Sequence, residues 1–499
     1  GTGSVRSDMQ IGFPVLPDSE IRFKVLLEWL RACDERHGMF GCHLKSSPQL
    51  PTRVLDVGGK LRLHISEPGE RGDYFVLSHC WGNISEEKKR EHCLSLDNVD
   101  ARRNDRGFDI GVLPQTFQDG ITVARKLGKR YLWIDSLCII QYGDNFEDWK
   151  KEAKVMGAVF RNAYCTIAAT SARDSTRGFL ARPTTQHKEP QYVKALHYSR
   201  GPVYISRVLD DYYSDVETGV LNQRAWVLQE RALSRRTIHF THNQTYWECG
   251  EVVPTDCLYR SSKSLFLGDP MFPAFLARPR GRDKVELFRH VFSMHTQLDI
   301  TVPTDRPIAI SGLVDRMAEA FRTTATHGIF DDYLHRSLLW QRNGATRMQR
   351  ISYAADRRVP SGSWMAYTGQ IEYMKIGCRR VEWDKRVRFT DGILRARVMA
   401  FRPCEIASTD GGICDIRDGG IENKGGWLKF DGDDRIDVQI LECVVLGRDM
   451  DSHIKRKCRV LVVSPVCLGG YKTFETVGVG YIPQSFISFQ NNAVVAVII

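Results

Sequence analysis

The chain has 499 residues, 42 % of them hydrophobic and 26 % charged, with a formal net charge of +10. That length exceeds one ordinary core and that balance excludes a disordered chain, so two or three domains are expected. The charge is thinly spread with no basic block, and no apolar run is long enough to span a bilayer, so neither nucleic acid nor a membrane span is expected.

The opening "GTGS" reads as an expression scar and is set aside. No basic-then-apolar run follows it, so no signal peptide is expected in this stretch. There are fourteen cysteines and no C-x-x-C pair. Several, such as Cys138 and Cys165, lie inside apolar runs. That pattern suits free buried thiols in a reducing cytoplasm better than a disulfide framework. A cytoplasmic location follows as the expectation.

Residues 18–37, "DSEIRFKVLLEWLRACDERH", carry helical apolar spacing after a capping Asp18 or Ser19. "RVLDVGGKLRLHISE" reads as two short strands around a Gly-Gly turn. "YFVLSHCWGN" (74–83) reads as a buried strand that ends in small, polar and aromatic groups. Then come an amphipathic helix over 113–128 stopped by Gly128, the strand "RYLWIDSLCII", a helix over 145–163 and the strand "YCTIAAT". "LNQRAWVLQERALSRRTIHFT" (221–241) reads as a helix and a strand, and "QTYWECG" as a further strand.

This alternation predicts a mainly parallel sheet with flanking helices, an α/β fold in which Tyr74–Ser78 and Tyr131–Asp135 are neighbouring strands. Residues 285–345 show helical spacing, and the chain beyond about 350 breaks into short strands. The stretch 409–426, "TDGGICDIRDGGIENKGG", reads as an exposed Gly-rich loop. The expected organisation is a lead-in over 1–66, an α/β domain over 67–250, a mainly helical connection over 251–345 and a β-rich, mostly antiparallel module over 346–499 that carries no catalytic group.

The chain has no Walker loop, no strand-linked G-x-G-x-x-G, no H-E-x-x-H and no G-x-S-x-G. Classical NTPases, Rossmann dehydrogenases, zincins and α/β-hydrolases are thereby set aside. Cys33, His37, Cys42 and His43 cluster in sequence, but their spacing fits no familiar zinc module, and no metal site is expected. In open parallel sheets, sites form at the carboxyl ends of the strands. Ser78–Gly82 and Asp135 fall there. Asp135 could orient a ribose, or it could cap the next turn.

Trp226 and Glu230 are four apart, so a helix stacks them on one face. A carboxylate shielded by an aromatic wall shifts its pKa and can stabilise an oxocarbenium-like transition state. The plainer reading is a surface Glu230 paired with Arg224, Arg231 or Arg235.

"YFVLSHCWGN", "LPQTFQDGITVARKLGKRYLWIDSLCIIQ", "DWKKEAKVMGAVFRNAYCTIAA" and "RAWVLQERALSRRTIHFT…WEC" resemble, in that order, the motifs of the fungal heterokaryon-incompatibility (HET) domain. "EWLRACDERH" before them, and "PTDRPIAISGL" and "SLLWQR" after them, are similar to the family's flanks. "PSGSWMAYTGQIEY" matches more weakly, with Ala366–Tyr367 at a family tryptophan. The resemblance implies a fungal origin and a kinship with Toll/interleukin-1 receptor (TIR) domains, hence a TIR-like (flavodoxin-like) sheet. Some TIR domains cleave NAD with a Glu that follows a Trp by four on a helix, and Trp226 and Glu230 match that spacing.

On this resemblance Glu230 is the first catalytic candidate. Asp135 joins it from its place at a strand end, and His79 only as a group able to move protons, since the family often has Tyr there and the resemblance assigns His79 no catalytic role. Ser78, Trp81, Gly82 and Trp226 are the candidate ligand contacts. Trp81 would stack on a base, or else plug the core. Gly82 would let the backbone approach a ligand.

NAD is then a candidate substrate and no cofactor is required. Three functions stay open. One is an NAD-cleaving or nucleotide-binding effector of non-self recognition and cell death. Another is a non-catalytic scaffold acting as a homo-oligomer. The third is an enzyme of secondary metabolism catalysing a cyclisation, dehydration or rearrangement, with His79, Cys80, Asp135 or Glu230 moving protons. The first and third need a small-molecule ligand in a cleft at the strand ends.

Overall fold

The computed structural model describes residues 9–12, 19–38, 42, 44, 46–181, 193–195, 203–207, 212–242, 245–249, 281–344, 348–354, 357–376, 381–408, 413–417, 425–432, 438–450, 456–468, 471–489 and 495–499. The chain divides into two units, Gly1–Ala277 with Ser311–Leu313 and Arg278–Ile310 with Val314–Ile499.

In the first unit a short strand, Met9–Gly12, pairs with Val203–Arg207, and helix α1 (Ser19–Arg36) follows it in sequence, within a residue of the expected span. The hairpin β1 (Arg53–Asp56) and β2 (Arg62–Ile65) follows. Strand β3 (Tyr74–Ser78), helix α2 (Gln115–Lys126), strand β4 (Tyr131–Trp133), helix α3 (Glu147–Asn162) and strand β5 (Cys165–Ala168) then alternate as the apolar periodicity predicts. Helix α4 (Ala225–Leu233) leads into β6 (Arg236–Phe240) and β7 (Thr245–Cys249).

These strands form one seven-stranded sheet in the order β7-β6-β5-β3-β4-β1-β2. The four central strands, β6, β5, β3 and β4, are parallel. Both margins are antiparallel: β7 on β6, and the β1–β2 hairpin on β4. The expected adjacency of β3 and β4 is present, with Tyr74 opposite Tyr131. β4 stops at Trp133, two residues short of expectation, because Asp135–Cys138 already forms a helical turn. The Asp135 carboxylate accepts hydrogen bonds from the Ser136 backbone N–H at 2.6 Å and from its hydroxyl at 2.8 Å, which favours a turn over extended chain.

All five residues of β3 are buried, as are all of β5 and β6, which is what helices on both faces of a parallel sheet require. Phe75, Val76 and Leu77 join Phe117 and Ile121 of α2 and Phe160 of α3 in one continuous core.

The second unit contains helix α5 (Gly281–His295) and then mostly strands. β8 (Ile393–Ala400), β9 (Glu442–Asp449), β10 (Lys457–Leu468), β11 (Tyr471–Pro483) and β12 (Val495–Ile498) close on themselves. β8 pairs with β9 and β12, β9 with β10, β10 with β11, and β11 with β12, which completes a barrel. Every pairing is antiparallel except β11 with β12. Leu394, Val444, Leu461, Phe474 and Ile498 belong to the core of this unit.

The Gly-rich stretch is not simply a loop. Ile413–Arg417 within it is a strand between Glu405–Ser408 and Gly426–Phe430. Its buried Cys414 and Ile416 supply the inward face that the surrounding glycines disguise. Residues 409–412 and 418–424 lie outside the described residues. Among the described residues, no helix is long and apolar enough to cross a membrane.

Candidate active site

β3 ends at Ser78, and its register sets Ser78 opposite Ala168 of β5, which in turn lies opposite His239 of β6. The carboxyl rim of the parallel strands is therefore lined with short or polar groups. α4 reaches this rim. It starts after Arg224, carries Trp226 and Glu230 on one face and ends at Leu233. The Ser78 hydroxyl donates to Glu230 Oε2 at 2.5 Å across 152 residues of sequence. Both side chains are buried, with Ser78 3 % and Glu230 9 % exposed.

Burial dominates the electrostatics of Glu230 and pushes its carboxyl up to about 7. The Ser78 hydrogen bond and the Arg224 guanidinium pull it back down, and the Asp135 carboxylate pushes it up further. The basic neighbours named by the plainer reading are engaged elsewhere. Arg224 Nη1 donates to the His79 carbonyl at 2.6 Å. Arg235 Nε donates to the Arg161 carbonyl at 2.9 Å. Arg231 is held by Glu217 and Glu248. A carboxyl that titrates near neutrality, with a hydroxyl as its hydrogen-bond donor, can exchange a proton or stabilise positive charge at physiological pH.

Asp135 and His79 sit together on the same rim. His79 Nδ1 lies 3.8 Å from Asp135 Oδ1, with the imidazole buried and the carboxylate half-exposed. Burial lowers the His79 pKa, and the Asp135 charge opposes that only in part. Its Nε2 is buried without a hydrogen-bond partner. The ring meets Phe117 of α2 edge-on at 4.9 Å and Trp81 at 5.7 Å. Trp81 packs on Phe117 at 5.5 Å and remains partly exposed. It is thus a core plug with one accessible edge.

Cys80 faces the other way, among Ala168, Leu221 and Val227, and burial raises its thiol pKa. Trp226 packs edge-to-face on Trp149 of α3 at 6.2 Å.

Gly82 is required by the chain itself. Its φ is +69°, and a Cβ there would lie 2.2 Å from Asp174 Cβ and 2.8 Å from Asp174 Cα. The close approach that the sequence reading assigned to a ligand is made by the 173–174 backbone.

The Asp135 turn is pinned from below. Arg53 Nε donates to the Cys138 carbonyl at 2.7 Å, and the same guanidinium pairs with Asp148, whose Oδ2 accepts the Ile140 N–H at 2.9 Å.

Behind α4 lies a buried charge network that the sequence reading missed. Glu248 on β7 accepts from Arg231 Nε at 2.9 Å and Nη2 at 3.1 Å, and bonds His239 Nε2 at 2.9 Å. Arg231 also reaches Glu217 at 3.0 Å and the Tyr212 hydroxyl at 2.8 Å. Burial opposes ionisation of Glu248, yet Arg231 and His239 hold it well below the usual carboxylate range. The one sequence signal is a charged Glu248 beside Tyr246, Trp247 and Cys249 in the strand "TYWEC".

An open groove of about 860 Å³ lies at the opposite end of β4, lined by Asp56, Gly58, Arg62, Arg125 and Arg130 among others. Arg130 pairs with Asp56, and Arg125 donates to the Val57 and Gly59 carbonyls. Arg62 and Lys129 are likewise paired, with Asp105 and Asp73, and no candidate side chain lines the groove.

Residues 74–230 match the family model of the heterokaryon incompatibility protein (HET), and this part of the chain is a HET domain. The match begins at the first residue of β3 and ends at Glu230. No curated protein and no solved structure matches the chain.

Proposed function

We propose that this heterokaryon-incompatibility-type protein uses its HET domain to cleave the glycosidic bond of a nucleotide such as NAD, as an effector of non-self recognition. The observation that supports it is the Ser78–Glu230 pair. It is a buried carboxyl with a pKa near 7, hydrogen-bonded at 2.5 Å and seated where parallel sheets bind ligands. The kinship with TIR domains belongs to the same proposal and rests on the Trp226–Glu230 spacing.

In this reading the ligand lies over the rim between Asp135, Trp81 and Arg224. Arg224 offers a positive charge to a phosphate, and the exposed edge of Trp81 offers an apolar surface to a ring. The bond from the ribose C1′ to the pyridinium nitrogen breaks, and nicotinamide leaves as a neutral base with the bonding pair. Positive charge develops on the ribose, and ionised Glu230 stabilises it. Water then adds to C1′, and its proton passes to Glu230. His79 lies beside Asp135 at 3.8 Å, between Phe117 and Trp81, and the Ser136 N–H and hydroxyl hold the Asp135 carboxylate.

The test is nicotinamide release from NAD by the purified protein, dilute and concentrated, beside Glu230→Gln and Ser78→Ala. Wild-type activity should rise with pH through about 7 as Glu230 ionises. Glu230→Gln should lower turnover about 10²–10³-fold. Equal activity in wild type and Glu230→Gln removes Glu230 from the mechanism. No release by wild type at any concentration rejects NAD cleavage and leaves self-association or another small-molecule reaction.

A further inference from the structure

We infer that Cys33, His37, Cys42 and Cys249 bind a structural zinc ion in the first unit. One ligand atom from each of these residues lies within 4.8 Å of every other. They come from three separated segments. Cys33 and His37 lie one turn apart at the end of α1, Cys42 is in the following loop, and Cys249 is the last residue of β7 at the sheet edge. Residue 43, considered with them in the sequence, lies outside the described residues, and Cys249 takes the fourth place.

The spacing suits a tetrahedral ion. Zn–S bonds of about 2.3 Å and Zn–N bonds of about 2.0 Å at tetrahedral angles place sulfur and nitrogen about 3.5 Å apart. Cys249 Sγ and His37 Nδ1 are 3.5 Å apart. The three sulfurs are buried, with Cys33 and Cys42 fully enclosed. Three thiolates and one imidazole fill every position of zinc, so the site is closed and structural. Each thiol gives its proton to solvent and its sulfur lone pair to the ion, with no oxidant or reductant involved.

The surrounding groups fit such a centre. Three thiolates around a dication leave one negative charge, and the buried Arg236 guanidinium stands beside it. Arg236 pairs in register with Cys249, donates from Nε to the Cys42 carbonyl at 2.9 Å, and makes an ion pair at 2.6 Å with Asp34, the residue after Cys33. One cation thus braces the neighbourhood of three ligands, as outer-shell partners of metal sites do. The ion would tie the end of α1 to an edge strand 212 residues away.

The full chain, produced with zinc in the medium and purified under reductant, should hold about one zinc per chain by elemental analysis. Cys33→Ser and Cys249→Ser should each lose it, while Cys404→Ser in the second unit should retain it. If the Ser variants fail to fold, the wild type decides. Replacement of zinc by cobalt should produce the sulfur-to-cobalt charge-transfer bands and strong visible bands of a tetrahedral thiolate site. Zinc near background with no such bands overturns the proposal. So does retention of zinc by both Ser variants, or a disulfide joining two of these cysteines in protein kept under reductant.

Discussion

Glu230 stores a pH dependence that can be measured without knowing any substrate. Its carboxyl titrates near 4.5 when solvated and at about 7 in the fold, with burial as the main cause. Below about pH 4.5 it is protonated in both states and contributes nothing to the pH dependence. Between the two values the unfolded chain has released its proton while the fold keeps it, so stability falls as pH rises. Above about pH 7 the fold carries a desolvated carboxylate, at a plateau of about 3 kcal/mol. Glu230→Gln keeps the shape and cannot ionise. Relative to wild type, it should gain up to about 3 kcal/mol between about pH 5 and about pH 8 in urea unfolding. A difference that stays flat across that range would show that Glu230 is solvated and unsuited to its proposed role. The same residue thus weakens the fold at neutral pH and is fitted for chemistry there, the usual conflict at an active site.

At the level of elements, the turn after β3 and the network behind α4 make separate demands. Gly82→Ala would place a methyl group against the Asp174 backbone at a φ of +69°. Strain of this type costs roughly 1–3 kcal/mol before any clash, so the variant should melt lower and lose the Trp81 fluorescence environment. An unchanged melting curve would count against the close approach. Glu248→Ala leaves Arg231 and His239 buried with one partner fewer, and breaking such pairs costs about 3–5 kcal/mol. Normal stability in that variant would mean that water reaches the network.

The alternating elements were legible in the sequence because α2 and α3 each turn one apolar face to a continuous core, and β3 is apolar throughout until Ser78. The helical step from Trp226 to Glu230 was legible for the same reason. The partner of Glu230 was not, since Ser78 lies 152 residues away and only the β3–β5 register brings it to the rim. Nor was the role of Gly82, because a glycine that admits a ligand and one that admits the 173–174 backbone read alike. The strand within 409–426 was hidden by its flanking glycines, which mimic a loop.

At the scale of the whole chain, two units with separate cores predict how it unfolds. Phe117 is fully buried in the first unit's core, and Phe474 almost fully in the barrel of the second. Chains with more than one core commonly depart from two-state behaviour, and calorimetry should resolve two transitions here. Truncating a buried Phe to Ala costs roughly 3–5 kcal/mol. Phe117→Ala should therefore lower one transition and Phe474→Ala the other. The pH response of Glu230→Gln should fall within the transition that Phe117→Ala moves, since Glu230 and the Ser78, Arg224 and Asp135 groups that act on it all belong to the first unit. A single transition shifted equally by both Phe variants would show that the two cores unfold as one. In that case the Glu230 ionisation would be felt by the barrel as well, and substitutions far from the HET domain could tune its chemistry.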